Sequence, residues 1–467
     1  MSHLIIVGGG ISGLSAAYYA QQAAPHLKIT LLEADSRLGG KVRTVAEDGF
    51  VLEGGPDAVV RYKPWALALM KALGLEAQMV GTLPTKPSAL IHDGHQAQPI
   101  PPGLQMVIPG DLWAMALSPL LSPFGKARAA LDLAIARGPA GDEPFGAFIQ
   151  RRLGKQVWER LVAPLSGGIY GGDPYALSTL AAFPQLKALE QSHGSLIRGA
   201  MQQRQERGSR EAGQLFASLS GGLGNWVEAL QQQVSGSGLE VRLNTGVEGL
   251  ERLREGWRVQ AREGVLEADA IVLTTPAPST ARLLQNLHPE AAAALQNIPY
   301  GSSATVSLAF PKEKLPARVG HGMLIAANRG FGVRGFTWTD QKWSGRAPQD
   351  YALVRAYFSD TGLDEHSLAQ QALTDLGRLW GQIPTPQRTW TFRWQEGLPQ
   401  YTVGHLERVA QALQAETLPG LFLAGAAYHG VGLPEVVRMG QEKALRALAF
   451  LSGTATPSAD EGATING

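Results

Sequence analysis

Three glycines near the N-terminus constrain this chain more than any other feature. Gly8, Gly10 and Gly13 form G-x-G-x-x-G directly after HLIIV (residues 3–7), a run that reads as a short buried strand. Residues 11–23 carry small and apolar side chains at helical spacing, and KITLLE (28–33) reads as a second strand ending in an acid. The result is a strand–turn–helix–strand unit of about 30 residues. In such a unit Gly8 allows the tight turn, Gly10 lets the backbone approach a pyrophosphate, and Gly13 lets the helix pack against the sheet. The pyrophosphate sits at the helix N-terminus, where free N–H groups and the dipole favour its charge. Glu33, 20 residues past Gly13, is placed to accept hydrogen bonds from a ribose diol and to repel a 2′-phosphate. These residues specify a dinucleotide site.

The residues just after Glu33 separate two kinds of dinucleotide. Arg37, Gly39, Gly40, Lys41, Val42 and Thr44 complete ExxxRxGGKxxT, in which backbone and cations crowd a pyrophosphate and a flavin edge. A second pair, Gly54 and Gly55, precedes Pro56 and Asp57. A plain NAD dehydrogenase needs neither feature. The arrangement resembles the amine oxidase-like FAD superfamily, which includes monoamine and polyamine oxidases, phytoene desaturases and porphyrinogen oxidases. That resemblance, rather than spacing, makes the expected cofactor FAD. The C-terminal segment agrees. A strand ends at Ala424, Gly425 allows a close approach, and Val431, Gly432, Leu433 and Pro434 let backbone lie against a flat ring. The helix starting near Pro434 aims its N–H groups at the flavin pyrimidine oxygen. Ser12, Ala34 and Val247 complete the expected cofactor-binding set. The chain has no Cys, which removes a cysteinyl flavin tether, disulfides, thiolate metal sites and a Cys nucleophile. FAD is therefore expected to be non-covalent, and no metal is expected.

Composition bounds the rest. At 467 residues, with 44% apolar and 17% charged, the chain is globular and of two or three domains. A formal net charge of +1 argues against nucleic acid as a main partner. The N-terminus reads as a strand, not a signal peptide, and no run of apolar residues is long enough to cross a membrane. The nearest membrane candidate, Leu112 to Phe124, is short and broken by Pro119 and Pro123. It reads either as a buried helical segment or as a weak peripheral membrane contact. A cytoplasmic location is expected.

The expected fold is α/β and α+β. Residues 1–84, 211–278 and 401–453 form a Rossmann-like FAD-binding domain, and 279–400 form a mixed-sheet substrate domain. Residues 85–210, rich in Leu, Ala and Arg, form an inserted helical domain. It holds 13 Lys plus Arg against 9 Asp plus Glu. Residues 454–467 are small and polar and read as a disordered tail.

RRLGKQVWERLVAPLSGGIYGGDPYALS (151–178), FPQLKALEQSHGSLIRG (183–199), SLSGGLGNW (218–226), WTFRWQEGLPQYTVGH (390–405) and FLAGAAYHGVGLPEVVRMG (422–440) occur in this order. They resemble segments of the bacterial protoporphyrinogen and coproporphyrinogen oxidase family. The resemblance implies a para-hydroxybenzoate-hydroxylase-like FAD domain. It implies removal of six electrons from a porphyrinogen in three flavin cycles, with three O2 reduced to hydrogen peroxide, as a step of heme biosynthesis. It places Gly322 and Leu324 between flavin and macrocycle. Tyr170, Tyr401 and Arg61 are further cleft candidates. Arg151, Arg152, Lys155, Arg160, Arg198 and Arg438 are candidate cations for propionates. His405 and His429 lie in flavin-adjacent motifs, but neither shows a partner that would make it a general base. Coproporphyrinogen III is favoured over protoporphyrinogen IX by the basic excess of the insert and the absence of a strong membrane segment. The expected partners are the porphyrinogen, O2 and other enzymes of the heme pathway. A flavin amine oxidase, a carotenoid desaturase and a non-catalytic flavin-binding redox protein are the alternatives.

Overall fold

The computed structural model describes residues 2–101, 104–105, 108–109, 112–207, 215–236, 238–327, 329–359 and 362–454. The expected tail from 455 onward lies outside the described residues. Three layers carry the architecture. The first is a five-stranded sheet of β1 (His3–Val7), β2 (Lys28–Leu32), β3 (Glu240–Arg242), β4 (Ala270–Leu273) and β5 (Leu421–Leu423), in the order β3-β2-β1-β4-β5. Every pairing is parallel. Both faces are covered, so the strands are near-continuous apolar runs, and all five residues of β1 are buried. Helices α1 (Ile11–Ala23) and α2 (Leu433–Ser452) cross on one face. Their contact is close because residue 440 is glycine: a Cβ there would lie 2.3 Å from the Ser12 carbonyl oxygen.

The second layer is a seven-stranded sheet. In spatial order its strands are Arg388–Pro399, Tyr300–Pro311, Tyr351–Ser359, Gly335–Trp338, Gly322–Ile325, Leu90–His92 and Ala97–Pro99. Only the pairing of Gly322–Ile325 with Leu90–His92 is parallel, so this is the mixed sheet that the sequence suggests. Its helix, Glu365–Trp380, packs Leu368, Ala372 and Leu376 on Val306, Leu308, Val354, Ala356 and Phe358. Strand alternation then sends Thr305, Arg355, Tyr357 and Ser359 to the opposite face, toward the other two layers.

The third layer is helical and departs from the expected boundaries. Residues 85–210 were expected to be helical throughout, but Leu90–His92 and Ala97–Pro99 are edge strands of the mixed sheet. Three-residue strands leave no periodicity to read. The expected substrate domain, 279–400, also begins differently. Helices Ala277–Leu284 and Pro289–Gln296 bury Ala281, Leu284, Ala291 and Leu295 in the core of the first layer.

An ion cluster holds the helical layer together. The Arg152 guanidinium, fully buried, donates to Asp132 at 2.5 Å and to the carbonyls of Ile135, Ala136, Asp132 and Gly194. Arg151 pairs with Glu143 and Glu190, each at 2.7 Å, and Lys187 pairs with Glu143 at 2.6 Å. Asp132 also accepts from Ser195 Oγ and the Ile197 N–H. Removing Asp132 takes the nearer of two counter-charges from a buried guanidinium, whose remaining acid, Glu190, lies at 3.5 Å and is shared with Arg151. Asp132→Ala is expected to destabilise the protein by about 3–5 kcal/mol. Chemical denaturation measures this, and a loss below about 1 kcal/mol, the range of exposed ion pairs, would contradict the cluster's structural role.

Candidate active site

The N-terminal glycines build a cradle. Gly8 has φ +105°, and a Cβ there would strike Thr274 Oγ1 at 2.7 Å. That hydroxyl lies 2.9 Å from both the Val7 and Gly8 carbonyl oxygens and pins the turn. A Cβ on Gly13 would lie 1.8 Å from the Gly8 carbonyl oxygen, so only glycine lets α1 close on the loop. Gly10 is the opposite case: a Cβ there would meet nothing within 4 Å. Space therefore opens in front of α1. Its N-terminus has no side-chain cap and no acid in its first turn, and the buried Ser12 hydroxyl has no hydrogen-bond partner. Gly39 donates to Gly9 O at 2.8 Å, which lays the second glycine loop on the first. Uncapped N–H groups, an orphaned hydroxyl and open space fit a pyrophosphate.

Glu33 directly follows β2 and accepts from the Gly9 N–H at 2.5 Å and the Asp35 N–H at 2.8 Å. Its backbone bonds to Arg242 O and to the Thr245 N–H. A Cβ on Gly246 would lie 3.6 Å from Ala34 Cβ, so Glu33, Ala34 and the strand beginning at Val247 meet as the sequence requires for a ribose and adenine. The Arg37 guanidinium donates to the carbonyls of Leu38, Gly40 and Val42, so it braces the glycine loop from within.

Gly55 meets Lys41 at the end of the cradle where the sequence leads one to expect the flavin. A Cβ on Gly55 would lie 1.9 Å from Lys41 O. The Lys41 ammonium stands over the Tyr300 ring, 5.7 Å from its centroid, and burial lowers its pKa to about 8. Tyr300 accepts from the Ala277 N–H at 2.9 Å, and burial pushes its hydroxyl up to about 12. From the far side comes the loop between β5 and α2. Gly425 and Gly430 have φ +126° and +111°, and Gly432 is the N-cap of α2, with Leu433 and Pro434 in its first turn. For Tyr401 the sequence leaves cleft and core open; it is buried and clamps this loop, donating to Ala426 O at 2.6 Å and accepting from the Gly430 N–H at 2.8 Å. His405 stacks on Tyr401 at 3.8 Å, and burial lowers its pKa to about 4, so it is neutral. Burial also lowers the His429 pKa.

The mixed sheet supplies residues that the sequence reading missed. Arg355 donates to Gly55 O at 2.7 Å and lies over the Tyr357 ring. Trp394 Nε1 donates to Gly54 O at 2.7 Å. Asp57, expected on the cofactor, points to the sheet, where it pairs with Lys342 at 2.6 Å and accepts from Trp343 Nε1. Burial alone would raise its pKa, but Lys342 and Arg355 hold the carboxyl well below the usual range. Thus Gly54 to Asp57, which includes Pro56, ties the cradle to the second layer. The signal was available: Arg355, Tyr357 and Ser359 alternate at period two within a strand whose other face is apolar.

All three layers meet at one apolar junction. Leu324 from the mixed sheet, Val431 from the flavin loop and Leu165 are partly buried against the core of the helical layer. A Cβ on Gly168 would lie 3.8 Å from Leu324 Cδ2. Tyr170 is buried nearby, its hydroxyl 3.3 Å from Ala182 O, and burial raises its pKa. Gly322 is not open in this way: a Cβ there would lie 2.2 Å from Phe336 O, so this glycine serves close strand packing. The candidate cations are mostly engaged elsewhere. Arg151 and Arg152 belong to the buried cluster, Lys155 pairs with Glu159, and Arg160 donates to Leu120 O. Arg198 reaches the His193 and Leu133 carbonyls, and Arg438 lies over Trp65 beside Glu442. Arg61 is exposed. Among the described residues no group of three or more His, Cys, Asp or Glu is arranged to hold a metal.

Glu33→Ala removes a charged acceptor from both the glycine loop and the ribose position. The expected loss is about 1.5–3 kcal/mol of FAD binding, roughly tenfold to a hundredfold in Kd, with the fold retained. Fluorescence titration of the apoprotein with FAD measures it, and an unchanged Kd would remove Glu33 from the site.

Comparison with known proteins identifies the family. The family model described as flavin containing amine oxidoreductase matches residues 11–448. The coproporphyrinogen III oxidase of Bacillus subtilis (strain 168) is 35% identical over 96% of this chain and 98% of its own length. The chloroplastic protoporphyrinogen oxidase 1 of Arabidopsis thaliana is 30% identical over 96% of this chain and 88% of its own. A crystal structure named as a protoporphyrinogen oxidase, from Exiguobacterium sp. 255-15, superposes with a TM-score of 0.85 at 36% identity, covering 97% of this chain and 99% of that one. FAD is the cofactor, and the chain belongs to the flavin-containing amine oxidoreductase family and, within it, to the porphyrinogen oxidases.

Proposed function

We propose that this chain oxidises a porphyrinogen to a porphyrin, with coproporphyrinogen III as the preferred substrate and O2 as the terminal oxidant. The observation that carries the reading is the junction of Leu324, Gly168 and Val431. It brings apolar side chains of the mixed sheet, the helical layer and the β5–α2 loop together, a surface suited to one face of a flat macrocycle. FAD, when bound, supplies the hydride acceptor that oxygen regenerates. The residues of the chain orient and enclose. Tyr401 fixes the flavin loop, the N-terminus of α2 offers N–H groups to developing negative charge, and Lys41 adds a cation near the ring. Each porphyrinogen gives up six hydrogens, which leave as three H2O2. The name shared by the bacterial relatives supports coproporphyrinogen III. Arg151, Arg152 and Lys187 lie inside the ion cluster of the helical insert and are balanced there by Asp132, Glu143 and Glu190, so any contribution of the insert's basic excess comes from its other cations.

Steady-state kinetics on both porphyrinogens, with peroxide measured alongside, test the reading. At low salt kcat/KM is expected to be higher for coproporphyrinogen III. The gap narrows as salt rises, because exposed cations are screened over about 8–10 Å near physiological ionic strength. A preference for protoporphyrinogen IX at every salt concentration would overturn the substrate assignment.

The same reading includes a peripheral membrane contact by a cytoplasmic protein. From 116 to 134 every exposed residue is Ala, Leu, Pro or Phe. Leu117 and Phe124 are 80% and 88% exposed. The polar residues of this stretch turn inward: Asp132 is buried, Lys126 donates to Ala116 O, and Arg128 donates to the carbonyls at 150–152. Such a face suits the boundary of a lipid surface. Among the described residues no helix is long and apolar enough to cross a membrane. Phosphatidylglycerol-containing vesicles should co-sediment the wild-type protein and release the Leu117→Ser, Phe124→Ser variant. Equal sedimentation of the two, or none of either, would exclude this face as a membrane contact.

A further inference from the structure

A substrate with several carboxylates needs cations at the rim of its site, and the sequence candidates are largely committed to other work. The structure supplies another. Arg334 directly precedes the strand Gly335–Trp338, and its backbone N–H donates to Tyr357 O at 2.7 Å. The preceding residues are pinned as well, since Asp375 accepts from the Gly332 N–H at 2.8 Å and the Val333 N–H at 3.0 Å. The loop is therefore fixed before any ligand arrives.

The guanidinium is fixed in the same way. Arg334 Nε donates to Ser359 Oγ at 3.1 Å, and that hydroxyl lies 3.4 Å from Gly171 O, in the turn after Tyr170. Arg334 thus stands where the mixed sheet meets the signature turn of the helical layer. The strand it leads into also adjoins the apolar junction: a Cβ on the next residue, Gly335, would lie 3.5 Å from Leu324 Cδ2. Arg334 is exposed and forms no ion pair among the described residues. Anchoring through Nε leaves both terminal nitrogens for a ligand. That is the fork that binds a carboxylate through two parallel hydrogen bonds.

Resting on the porphyrinogen reading, we propose that Arg334, held by Ser359 against the Gly171 carbonyl, is a specificity residue that binds one carboxylate of the substrate. It binds and does no chemistry, so it acts on affinity rather than turnover. Ser359 is its positioning residue.

The test uses the full-length FAD-loaded protein. Arg334→Gln is expected to raise KM for coproporphyrinogen III by about tenfold to a hundredfold, the range for losing a charge-assisted hydrogen bond, while kcat stays near wild type. Arg334→Lys keeps the charge without the fork and should recover part of the loss. Ser359→Ala leaves the guanidinium in place but unanchored, and should raise KM by a smaller factor. Binding of coproporphyrin III, followed by quenching of its fluorescence, should weaken in the same order without turnover. A wild-type protein that oxidises porphyrinogen, with Arg334→Gln unchanged in KM and in porphyrin Kd, would overturn the Arg334 assignment alone. A fall in kcat with unchanged KM would also overturn it. A wild-type protein that oxidises neither porphyrinogen would overturn the underlying reading and the assignment with it.

Discussion

Everything in this molecule depends on one close approach, that of Gly13 to the carbonyl of Gly8. No side chain fits between them, since even a Cβ would sit 1.8 Å from the oxygen. This contact sets the first turn of α1 against the end of β1 and opens the space before Gly10. Other contacts are built on it. Thr274 pins the turn from β4, Gly39 lays its loop over Gly9, and Gly440 brings α2 against α1. Because α2 begins at Leu433, the same packing carries the flavin loop to its place above the cradle. A close backbone contact near residue 13 thereby positions residues more than 400 positions away in the chain.

The catalytic cleft is a consequence of how the layers are tied. Gly54 and Gly55 receive hydrogen bonds from Trp394 and Arg355, and Asp57 is gripped by Lys342 and Trp343. These bonds fix the mixed sheet over the cradle. The helical layer then closes the third side, held in shape by Asp132, Arg152, Glu190, Arg151, Glu143 and Lys187. The cations of this cluster neutralise its own acids, so they are not free to meet a polyanionic substrate.

The cradle was legible in the sequence because its requirements are local. Gly8, Gly10, Gly13 and Glu33 act within one strand–turn–helix–strand unit, and Gly432 to Pro434 mark a helix start by type alone. Residues whose work depends on distant partners were not legible. Nothing near Arg151 and Arg152 announces Asp132 or Glu190, so the sequence leaves these arginines open between an ion-paired role and a propionate contact. For Tyr401 cleft and core stayed equally open, because its partners, Ala426 and Gly430, lie beyond the next helix. Leu90–His92 was too short to show a period. Arg355 was visible by alternation in YALVRAYF, but which face of that sheet met the cofactor layer is a tertiary fact.

The central claim is that a dinucleotide cradle and an apolar junction act together on a porphyrinogen. Anaerobic mixing of the FAD-loaded protein with coproporphyrinogen III, monitored by stopped-flow absorbance, tests it most directly. The account predicts that the flavin's visible absorbance bleaches on mixing, and that admitting oxygen restores it as porphyrin fluorescence grows. Flavin that stays oxidised in the presence of either coproporphyrinogen III or protoporphyrinogen IX would contradict the account.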